Sequence, residues 1–503
     1  MNGIRFLLDG RVVCAENVSR TTTVLEYLRE VQHRTGTKEG CAEGDCGACT
    51  VVLGEPAADG SRVEYRAVNS CIRFLPTIDG QELVTVESLL AADGSLHPVQ
   101  QAMVDQHASQ CGFCTPGFVM SLFALYLDNP APTREQVLTA LSGNLCRCTG
   151  YRPIIAAGLS MGEYPEGPHW NRDTPKLASR LAQLREVQRS AALRIPGFFA
   201  PRTVDELAAE LEKNPGALVL AGGTDVGLWV TKQLRDLPDI VYIGAVAELK
   251  HIRRGGDILE IGAAVSLSES WPALVAEFPP LAEMAQRFAS PPVCNSGTLC
   301  GNLANGSPIG DSLPVLIALD AELVLRRGTR TRCLPLERFY LGYQRTALEP
   351  GEFVVSVRVP VSPAARSGWI AAYKVSKRID QDISAVAVAM VVRVEEGRVA
   401  QARIAFGGMA AVAARAVATE RALVGAAWTQ AAVDAAAERL AEDFKPLTDM
   451  RASSAYRLRA AGNLLRRFYL EHADSHGGST APTRTMEITA VSALSGPASR
   501  GPV

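Results

Sequence analysis

The cysteines constrain this chain more than any other feature of its sequence. Eight of the 12 lie in two groups within the first 148 residues. The first group is Cys41, Cys46, Cys49 and Cys71, and the second is Cys111, Cys114, Cys146 and Cys148. The remaining cysteines, Cys14, Cys294, Cys300 and Cys333, lie outside these groups, and no role is assigned to them. In a long chain without a secretion signal, clustered thiols favour metal ligation over disulfide bonds.

The composition is that of an ordinary globular protein, with 47% hydrophobic and 21% charged residues. Its 503 residues exceed what one hydrophobic core supports, so we expect about three or four domains. The net charge of −2 comes from well-mixed charges, which excludes a nucleic-acid footprint and a polybasic membrane patch. The first residues lack a signal-peptide pattern, and the most apolar run, 385–392, is too short to cross a bilayer. We therefore expect a cytoplasmic protein.

The first cysteine group has the Cys-x4-Cys-x2-Cys spacing of a plant-type [2Fe–2S] site, with a fourth cysteine further along the chain. Three thiolates that converge on a small anionic cluster require a sharply bent loop. Gly40, Gly44 and Gly47 supply those bends and allow close approach of the backbone. The alternative is a structural zinc site, but zinc sites usually pair two Cys-x2-Cys units, which the x4 interval fits poorly.

The second group predicts another cluster between two helices. Cys111-x2-Cys114 precedes a helix that starts at Thr115-Pro116, and Cys146-x-Cys148 follows a helix that starts at a Thr133–Gln136 capping box. A negatively charged cluster is favoured at the helix N-terminus that follows Cys114. The alternative is a thioredoxin-like redox dithiol, which requires a βαβ context that this helical segment lacks.

Two glycine-rich segments suggest a nucleotide cofactor. Residues 219–226 form an apolar strand that breaks into a Gly-Gly-Thr turn, which can present N–H groups to a pyrophosphate. This signal is weak alone, and neither a G-x-G-x-x-G fingerprint nor a P-loop is present. In the second segment, 295–311, small side chains suit a backbone wrapped around a cofactor, and Asp311 can accept from sugar hydroxyls. The alternative is a polar loop with Asp311 as a helix N-cap.

Three strings around the cysteines, 40–49, 110–117 and 143–153, resemble signatures of the xanthine oxidase family of molybdenum hydroxylases. They read GCAEGDCGAC, QCGFCTPG and GNLCRCTGYRP. Asp45 stands where the family usually has glycine, Cys300 replaces one of a usual glycine pair, and Cys294 stands where many members have arginine. The resemblance covers about residues 1–470.

This resemblance implies an α+β multidomain protein. The implied order is a β-grasp plant-type ferredoxin domain (1–87), a helical [2Fe–2S] domain (88–163), a linker (164–194), an α/β FAD-binding domain of the vanillyl-alcohol-oxidase type (195–365) and a C-terminal α+β flavoprotein domain (366–474). The tail, 475–503, is rich in Gly, Ser, Pro and Thr, which predicts disorder.

The resemblance also implies site residues. In the family, both glycine-rich segments hold the diphosphate and ribityl chain of FAD. The corresponding positions here, with two flavin neighbours further along the chain, are Val219, Leu220, Ala221, Gly222, Gly223, Thr224, Asp225, Val226, Phe288, Thr298, Gly301, Asn302, Asp311, Lys374 and Ile383. The eight grouped cysteines become the ligands of two [2Fe–2S] clusters. The string from Asp449 to Arg457 also resembles the family, but we interpret it as a structural ion pair or turn.

The implied activity is electron transfer. Electrons pass from a molybdopterin centre on a partner subunit, through the Cys111 cluster and the Cys41 cluster, to FAD and then to NAD⁺, in a heterotetramer with two of each chain. No histidine lies near the flavin segments, so we expect FAD to be non-covalently bound. Three alternatives stay open: a subunit of a related aldehyde or N-heterocycle hydroxylase, a stand-alone NADH-dependent reductase, and a zinc-stapled adaptor without a redox role.

Overall fold

The computed structural model describes residues 3–57, 59–91, 93–165, 174–189 and 192–473, so the predicted disordered tail lies outside the described residues. The chain divides into two units. The first comprises Met1–Ala247 with Ala289–Gly297, and the second comprises Glu248–Phe288 with Thr298–Val503. The predicted FAD-binding domain is therefore shared between the two units.

The N-terminal region folds as a mixed sheet with a short helix. Its elements are β1 (Ile4–Leu8), β2 (Arg11–Ala15), α1 (Val24–Glu26), β3 (Thr50–Pro56), β4 (Val63–Asn69) and β5 (Glu82–Val84). The strand order is β2-β1-β5-β3-β4, and β1 runs parallel to β5. Asp9 and Gly10, which join β1 to β2, both have the positive φ angles that a two-residue hairpin favours. Sheet order and helix together give the expected β-grasp arrangement.

Four helices follow: α2 (Pro98–Asp105), α3 (Thr115–Asp128), α4 (Arg134–Leu141) and α5 (Arg152–Ser160). The predicted capping box opens α4, where the Thr133 hydroxyl accepts from Gln136 N–H at 3.3 Å and the Gln136 side chain accepts from Thr133 N–H at 2.8 Å. Phe118, Leu122 and Phe123 of α3 are fully buried in this helical core. Because α3 and α4 are anchored in this way, the cysteines at their ends are held by rigid elements.

The segment expected to be a linker contains a helix, α6 (Thr174–Arg189). Ala178 and Leu181 are fully buried against Leu7 and Val63 of the N-terminal sheet. Ala178, Leu181 and Leu184 form one narrow buried stripe along this helix.

The rest of the first unit is a small sheet with two helices: β6 (Leu193–Ile195), β7 (Phe198–Ala200), α7 (Val204–Lys213), β8 (Leu218–Leu220), α8 (Val226–Thr231) and β9 (Ile240–Tyr242). The order is β6-β7-β9-β8, and β9 is parallel to both β7 and β8. Phe198, Leu220 and Ile240 share one hydrophobic core with Phe6 and Phe74 of the N-terminal region. This shared core joins the start of the predicted flavin domain to the first cysteine domain.

The second unit begins with β10 (Ile252–Gly255), β11 (Ile258–Gly262), α9 (Leu267–Glu277) and α10 (Ala282–Gln286). The chain then returns to the first unit for α11 (Pro291–Ser296), where the Asn295 side chain donates to the Ala67 carbonyl at 2.9 Å. It continues in the second unit with α12 (Leu299–Asn305), α13 (Ser312–Ala318), β12 (Glu322–Arg327), β13 (Arg330–Pro335), β14 (Tyr340–Gly342), β15 (Arg345–Thr346) and β16 (Phe353–Pro360). An antiparallel sheet has the order β10-β11-β16-β12-β13.

The C-terminal region is an antiparallel sheet packed with helices. Its elements are α14 (Pro363–Arg366), β17 (Trp369–Val375), β18 (Val386–Glu395), β19 (Arg398–Gly407), β20 (Ala414–Arg415), α15 (Val417–Leu423), α16 (Gln430–Glu438), α17 (Leu440–Asp443) and α18 (Ser454–His472). Met390, Ile404 and Phe468 are fully buried in its core. Arg457, 3% exposed, forms an ion pair with Asp449 at 2.7 Å, which confirms the structural interpretation of that string. None of the helices in the described ranges is long and apolar enough to cross a bilayer.

Candidate functional site

The first four cysteines converge at one end of β3 and β4. Cys49 directly precedes β3 and Cys71 follows β4, and the antiparallel pairing of these strands brings the two thiols to 3.2 Å. Both side chains are buried. The Cys41 sulfur accepts from Cys46 N–H at 3.3 Å, and hydrogen bonds from the Cys46 and Cys71 thiols lower the pKa of Cys41. All four thiols therefore belong to one cluster of side chains.

The loop between Cys41 and Cys49 bends at glycines, as predicted. Gly44 and Gly47 have φ angles of 77° and 69°, which strain any residue with a Cβ atom. A Cβ atom on Gly47 would also lie 2.2 Å from the Gly143 carbonyl oxygen. Backbone conformation and close packing thus both require glycine at Gly47.

The other four cysteines lie at the ends of α3 and α4. The Cys111 and Cys148 thiols approach to 3.7 Å, and both residues are exposed. Cys114 is the N-cap residue of α3 and is half-buried, as is Cys146. Burial and the neighbouring Cys146 thiol raise the pKa of Cys114 to about 12. This group lies nearer the surface than the first group.

The paired thiols fit binuclear clusters. Across the described ranges, no three His, Cys, Asp or Glu side chains are arranged to hold a single metal ion. In the first group, Cys49 approaches Cys71, and Cys41 interacts with both Cys46 and Cys71. In the second group, Cys111 approaches Cys148, and Cys114 interacts with Cys146. A [2Fe–2S] cluster held by four cysteines uses two thiolates on each iron. Each set of four thiol donors therefore suits one such cluster.

The two cysteine loops contact each other directly. Leu145 N–H, one residue before Cys146, donates to the Cys46 carbonyl at 3.0 Å. The Asn144 side chain, 3% exposed, donates to the Gly47 carbonyl at 3.1 Å and accepts from the Ser121 hydroxyl at 2.7 Å. These bonds connect a predicted ligand of one cluster to the neighbour of a predicted ligand of the other.

The predicted flavin turn lies between β8 and α8 in the first unit. A Cβ atom on Gly222 would lie 2.0 Å from the Ser296 carbonyl oxygen, and Gly223 has a φ of 75°. Both positions therefore require glycine. A turn without side chains at these positions leaves its backbone N–H groups accessible to an anionic ligand, which fits the diphosphate of a flavin nucleotide.

Helix α8, which follows this turn, packs on the first cysteine loop. A Cβ atom on Gly227 would lie 2.6 Å from the Ile72 carbonyl oxygen, so only glycine allows this approach. The Thr231 hydroxyl donates to the Ala42 carbonyl at 2.7 Å, and the Lys232 ammonium donates to the Cys41 carbonyl at 3.0 Å. Within the first unit, the predicted flavin turn and the first cysteine group are thus held together.

From Thr298 onward, the second flavin segment belongs to the second unit. The Thr298 hydroxyl caps α12 by accepting from Gly301 N–H at 3.0 Å. The Asn302 side chain accepts from the Ser312 hydroxyl at 2.6 Å, which links α12 to α13. Phe288 is 7% exposed, and its ring centroid lies 5.3 Å from that of Trp271.

Asp311 and Lys374 form a buried ion pair. The Lys374 ammonium lies 2.7 Å from one carboxylate oxygen of Asp311, and the two side chains are 3% and 7% exposed, respectively. The Ser384 hydroxyl donates to the other oxygen at 2.6 Å, and Lys374 also donates to the Arg287 carbonyl at 3.1 Å. Ile383, which precedes Ser384, is 39% exposed. Asp311 occupies the N-cap position of α13, but its side chain makes no capping bond, so the helix-cap interpretation is not supported.

The predicted residues therefore form four groups: two cysteine groups and the 219–226 turn in the first unit, and the residues from Phe288 to Ile383 in the second. Sequence reasoning assigned no role to Asn144, Gly227 or Ser384. Asn144 lies inside a signature string, and Gly227 and Ser384 carry no signal apart from their tertiary contacts.

Four family models match consecutive parts of the chain. They are a 2Fe-2S iron-sulfur cluster binding domain (residues 6–75), a [2Fe-2S] binding domain (85–159), an FAD binding domain in molybdopterin dehydrogenase (191–362) and a CO dehydrogenase flavoprotein C-terminal domain (371–472). Together they define an electron-transfer flavoprotein with two iron–sulfur domains.

Curated relatives agree with this class. The chain is 32% identical to a xanthine dehydrogenase of Emericella nidulans over 93% of its own length, and 31% identical to the xanthine dehydrogenase/oxidase of Mus musculus over 87%. It spans 38% and 36% of those proteins. The chain belongs to the xanthine oxidase family of molybdenum hydroxylases and corresponds to its iron–sulfur and FAD portion.

Solved structures agree for about half of the chain. One is a chain of carbon monoxide dehydrogenase from Hydrogenophaga pseudoflava, with 34% identity, a TM-score of 0.50 and coverage of 54% of this chain and 94% of that one. Another is a chain of quinoline 2-oxidoreductase from Pseudomonas putida, with 27% identity, a TM-score of 0.50 and coverage of 55% and 96%.

Replacing Asp311 by alanine is expected to destabilise the second unit by about 3–5 kcal/mol, because the change leaves the buried Lys374 cation unpaired. The double variant Asp311→Ala/Lys374→Met removes both charges and should regain most of that stability. Thermal-unfolding midpoints measure both effects. Asp320→Asn, which neutralises a carboxylate that is 64% exposed and keeps a side chain that tolerates the positive φ of this residue, is the matched control and should change little.

The same double variant tests the predicted contact of Asp311 with FAD. Acid or heat should release FAD from the wild-type chain, since the attachment is expected to be non-covalent. If the carboxylate accepts from a sugar hydroxyl, retention should weaken by about 1.5–3 kcal/mol. Full FAD retention in the double variant would contradict the contact and leave Asp311 as the counter-ion of Lys374 alone.

Proposed function

We propose that this chain is the electron-transfer subunit of a xanthine dehydrogenase. In the complete enzyme, hypoxanthine and xanthine are oxidised to urate at a molybdenum centre on a partner chain, and NAD⁺ is reduced at the flavin of this chain. For xanthine, the reaction takes one water and one NAD⁺ and yields urate, NADH and a proton. The names of the curated relatives support the substrate, and the four matched domains support the cofactors.

One observation carries the proposed order of electron transfer. The loop with Cys146 and Cys148 contacts the loop with Cys46, and that loop in turn contacts α8, which follows the flavin turn. Contacts within one unit therefore link the three predicted sites in the order second cluster, first cluster, flavin turn. The second group is also the more exposed of the two, as a site that receives electrons from another chain requires.

The cofactors supply the redox chemistry when bound: one-electron steps at the clusters and hydride exchange with NAD⁺ at the flavin. The chain's own residues bind and orient these groups. Cys49 and Cys71, both buried, exclude water from one side of the first site. Gly222 and Gly223 keep the diphosphate turn free of side chains, and Leu145 and Asn144 hold the two cysteine loops together.

The partner is proposed to be a molybdopterin-binding large subunit, in a heterotetramer with two copies of each chain. This chain spans just over a third of the length of its curated relatives. We also propose a cytoplasmic location. All 12 cysteines are free thiols, which suits a reducing compartment.

The purified chain alone is expected to oxidise NADH with an artificial one-electron dye, but not to hydroxylate a purine. Adding the molybdenum subunit should produce purine-dependent NAD⁺ reduction, because the substrate site is proposed to lie on that subunit. The measurement compares NADH–dye activity with xanthine–NAD⁺ activity before and after the subunit is added. Eight thiols in two groups also predict about four irons and four acid-labile sulfides per chain.

Three outcomes would contradict this proposal. Purine hydroxylation by the single chain, free of molybdenum, would locate the substrate site on this polypeptide. Stoichiometric zinc in the purified chain, with no acid-labile sulfide, would favour the zinc-stapled adaptor without a redox role. Activation by a molybdenum subunit with an aldehyde or another N-heterocycle, but not with xanthine, would favour a related hydroxylase.

A further inference from the structure

Arg73 is a buried cation without an acidic partner. The residue is 9% exposed, and its guanidinium donates to the Tyr242 hydroxyl at 3.4 Å and to the Thr77 carbonyl at 3.5 Å. Its Nε–H has no hydrogen-bond partner, and none of the carboxylates in the described part of the chain forms an ion pair with it.

This arrangement is unusual. Buried charges in proteins are paired or hydrogen-bonded, because transfer of an isolated ion out of water is strongly unfavourable. The arginine side chain is a fixed cation in proteins, so burial of this residue buries a charge. The only partners among the described residues are two neutral oxygen atoms at the long end of the hydrogen-bond range. The burial of Arg73 therefore points to a negative charge supplied by something other than a protein side chain.

Arg73 lies close in the chain to the first cysteine group. It follows Cys71 by two residues, so the two Cα atoms lie within about 7 Å of each other. Cys71 itself is 3% exposed and is paired with Cys49 in the first cysteine group. A [2Fe–2S] cluster with four thiolate ligands is an anion, and its negative charge grows by one when it accepts an electron. A fixed cation nearby therefore stabilises the reduced state more than the oxidised state.

We propose that Arg73 raises the reduction potential of the cluster held by Cys41, Cys46, Cys49 and Cys71. The added electron is the only change in charge, because the arginine side chain is a fixed cation. The interaction passes through the protein interior, where salt screens it little. This inference rests on the proposed function, since it requires an iron–sulfur cluster at this site. Arg73 acts on the cluster through its charge and is not one of the ligands of the iron.

The test is a potentiometric titration of the full chain, with both clusters followed by electron paramagnetic resonance. In Arg73→Gln, we expect the midpoint potential of the first cluster to fall by about 59 mV, which corresponds to a tenfold change in a one-electron equilibrium. The midpoint potentials of the second cluster and of FAD should not move. Arg73→Lys keeps the charge and should stay close to the wild-type value. Arg73→Met, an apolar residue of comparable length, provides the same comparison if the glutamine variant does not accumulate.

Arg62→Gln is the matched control. Arg62 lies in the same domain, but its side chain is 51% exposed and is paired with Glu64 at 3.4 Å. Because solvent and salt screen an exposed charge, removing it should leave both midpoint potentials unchanged.

An unchanged first-cluster midpoint in a charge-removing variant with full iron content would overturn the inference. Equal shifts in the midpoint potentials of both clusters would also overturn the inference, because they would indicate a general change in structure. Loss of FAD with an unchanged cluster midpoint would do the same, and would assign the guanidinium to the flavin diphosphate. Absence of iron and sulfide from the wild-type chain would contradict the proposed function instead, so the two failures are distinguishable.

Discussion

Cys148→Ser should nearly abolish purine-dependent NAD⁺ reduction by the reconstituted enzyme while NADH oxidation by a flavin-level dye continues. Cys148 is an exposed member of the second cysteine group and lies 3.7 Å from Cys111. Its loss removes a proposed ligand of the cluster that precedes the first cluster and the flavin. We expect the loss to exceed the roughly 10- to 100-fold that follows removal of an outer-shell partner of a metal site.

The measurement compares two activities of one preparation, xanthine to NAD⁺ and NADH to dye, with the paramagnetic signal of the first cluster as a check on folding. Cys333→Ser is the matched control, because Cys333 is also exposed but lies in β13, outside both groups. A parallel fall of both activities, with the first cluster intact, would show that the second cluster does not precede the flavin.

Gly117→Ala is expected to destabilise the first unit, although alanine normally stabilises a helical position relative to glycine. Gly117 lies in the first turn of α3, and a Cβ atom there would lie 2.1 Å from the Gly47 carbonyl oxygen. Since the obstacle is backbone and not a flexible side chain, one of the two cysteine loops must move. Overpacking of this kind costs about 1–3 kcal/mol. If the two cysteine loops move apart, the Leu145–Cys46 hydrogen bond and the magnetic interaction between the reduced clusters should both weaken.

Gly462→Ala provides the comparison. Gly462 lies inside α18, and the atom nearest to an added Cβ is the end of the Arg466 side chain, at 3.3 Å. This variant should be neutral or stabilised by up to about 1 kcal/mol. Thermal-unfolding midpoints and the intercluster magnetic coupling are measured for both variants. If both substitutions changed the unfolding midpoint and the magnetic coupling equally little, the backbone around Gly47 would be able to move away from α3 at low energetic cost.

Local sequence signals were sufficient to predict which kinds of cofactor-binding domain this chain contains. Spacing between cysteines reports which thiols can reach one small inorganic group, because the intervening loop is short and its glycines fix its bends. The Thr133–Gln136 capping box and the Asp9-Gly10 turn were equally predictable, since each depends on residues within one turn of the chain. The matched domains follow the predicted order, and the individual ligands of the clusters and of FAD stay predictions.

Long-range contacts were not predictable in this way. The α6 helix is stable because Ala178 and Leu181 pack on a distant sheet, and its own sequence reads as a linker. Asp311 makes no capping bond to α13 and is paired with Lys374, 63 residues away, while its contact with FAD stays a prediction.

The sequence by itself therefore determined which cofactors this protein is built to hold, because ligand type and local spacing are encoded over a few residues. Only the tertiary structure decided how the thiols pair, that Leu145 donates to Cys46, and that α8 packs on the first cysteine loop. It also decided that the Arg73 cation is buried without a carboxylate partner among the described residues. These features depend on contacts between segments that are far apart in the chain. Burial of apolar side chains in shared cores brings these segments together, and no short stretch of sequence records which segments will meet.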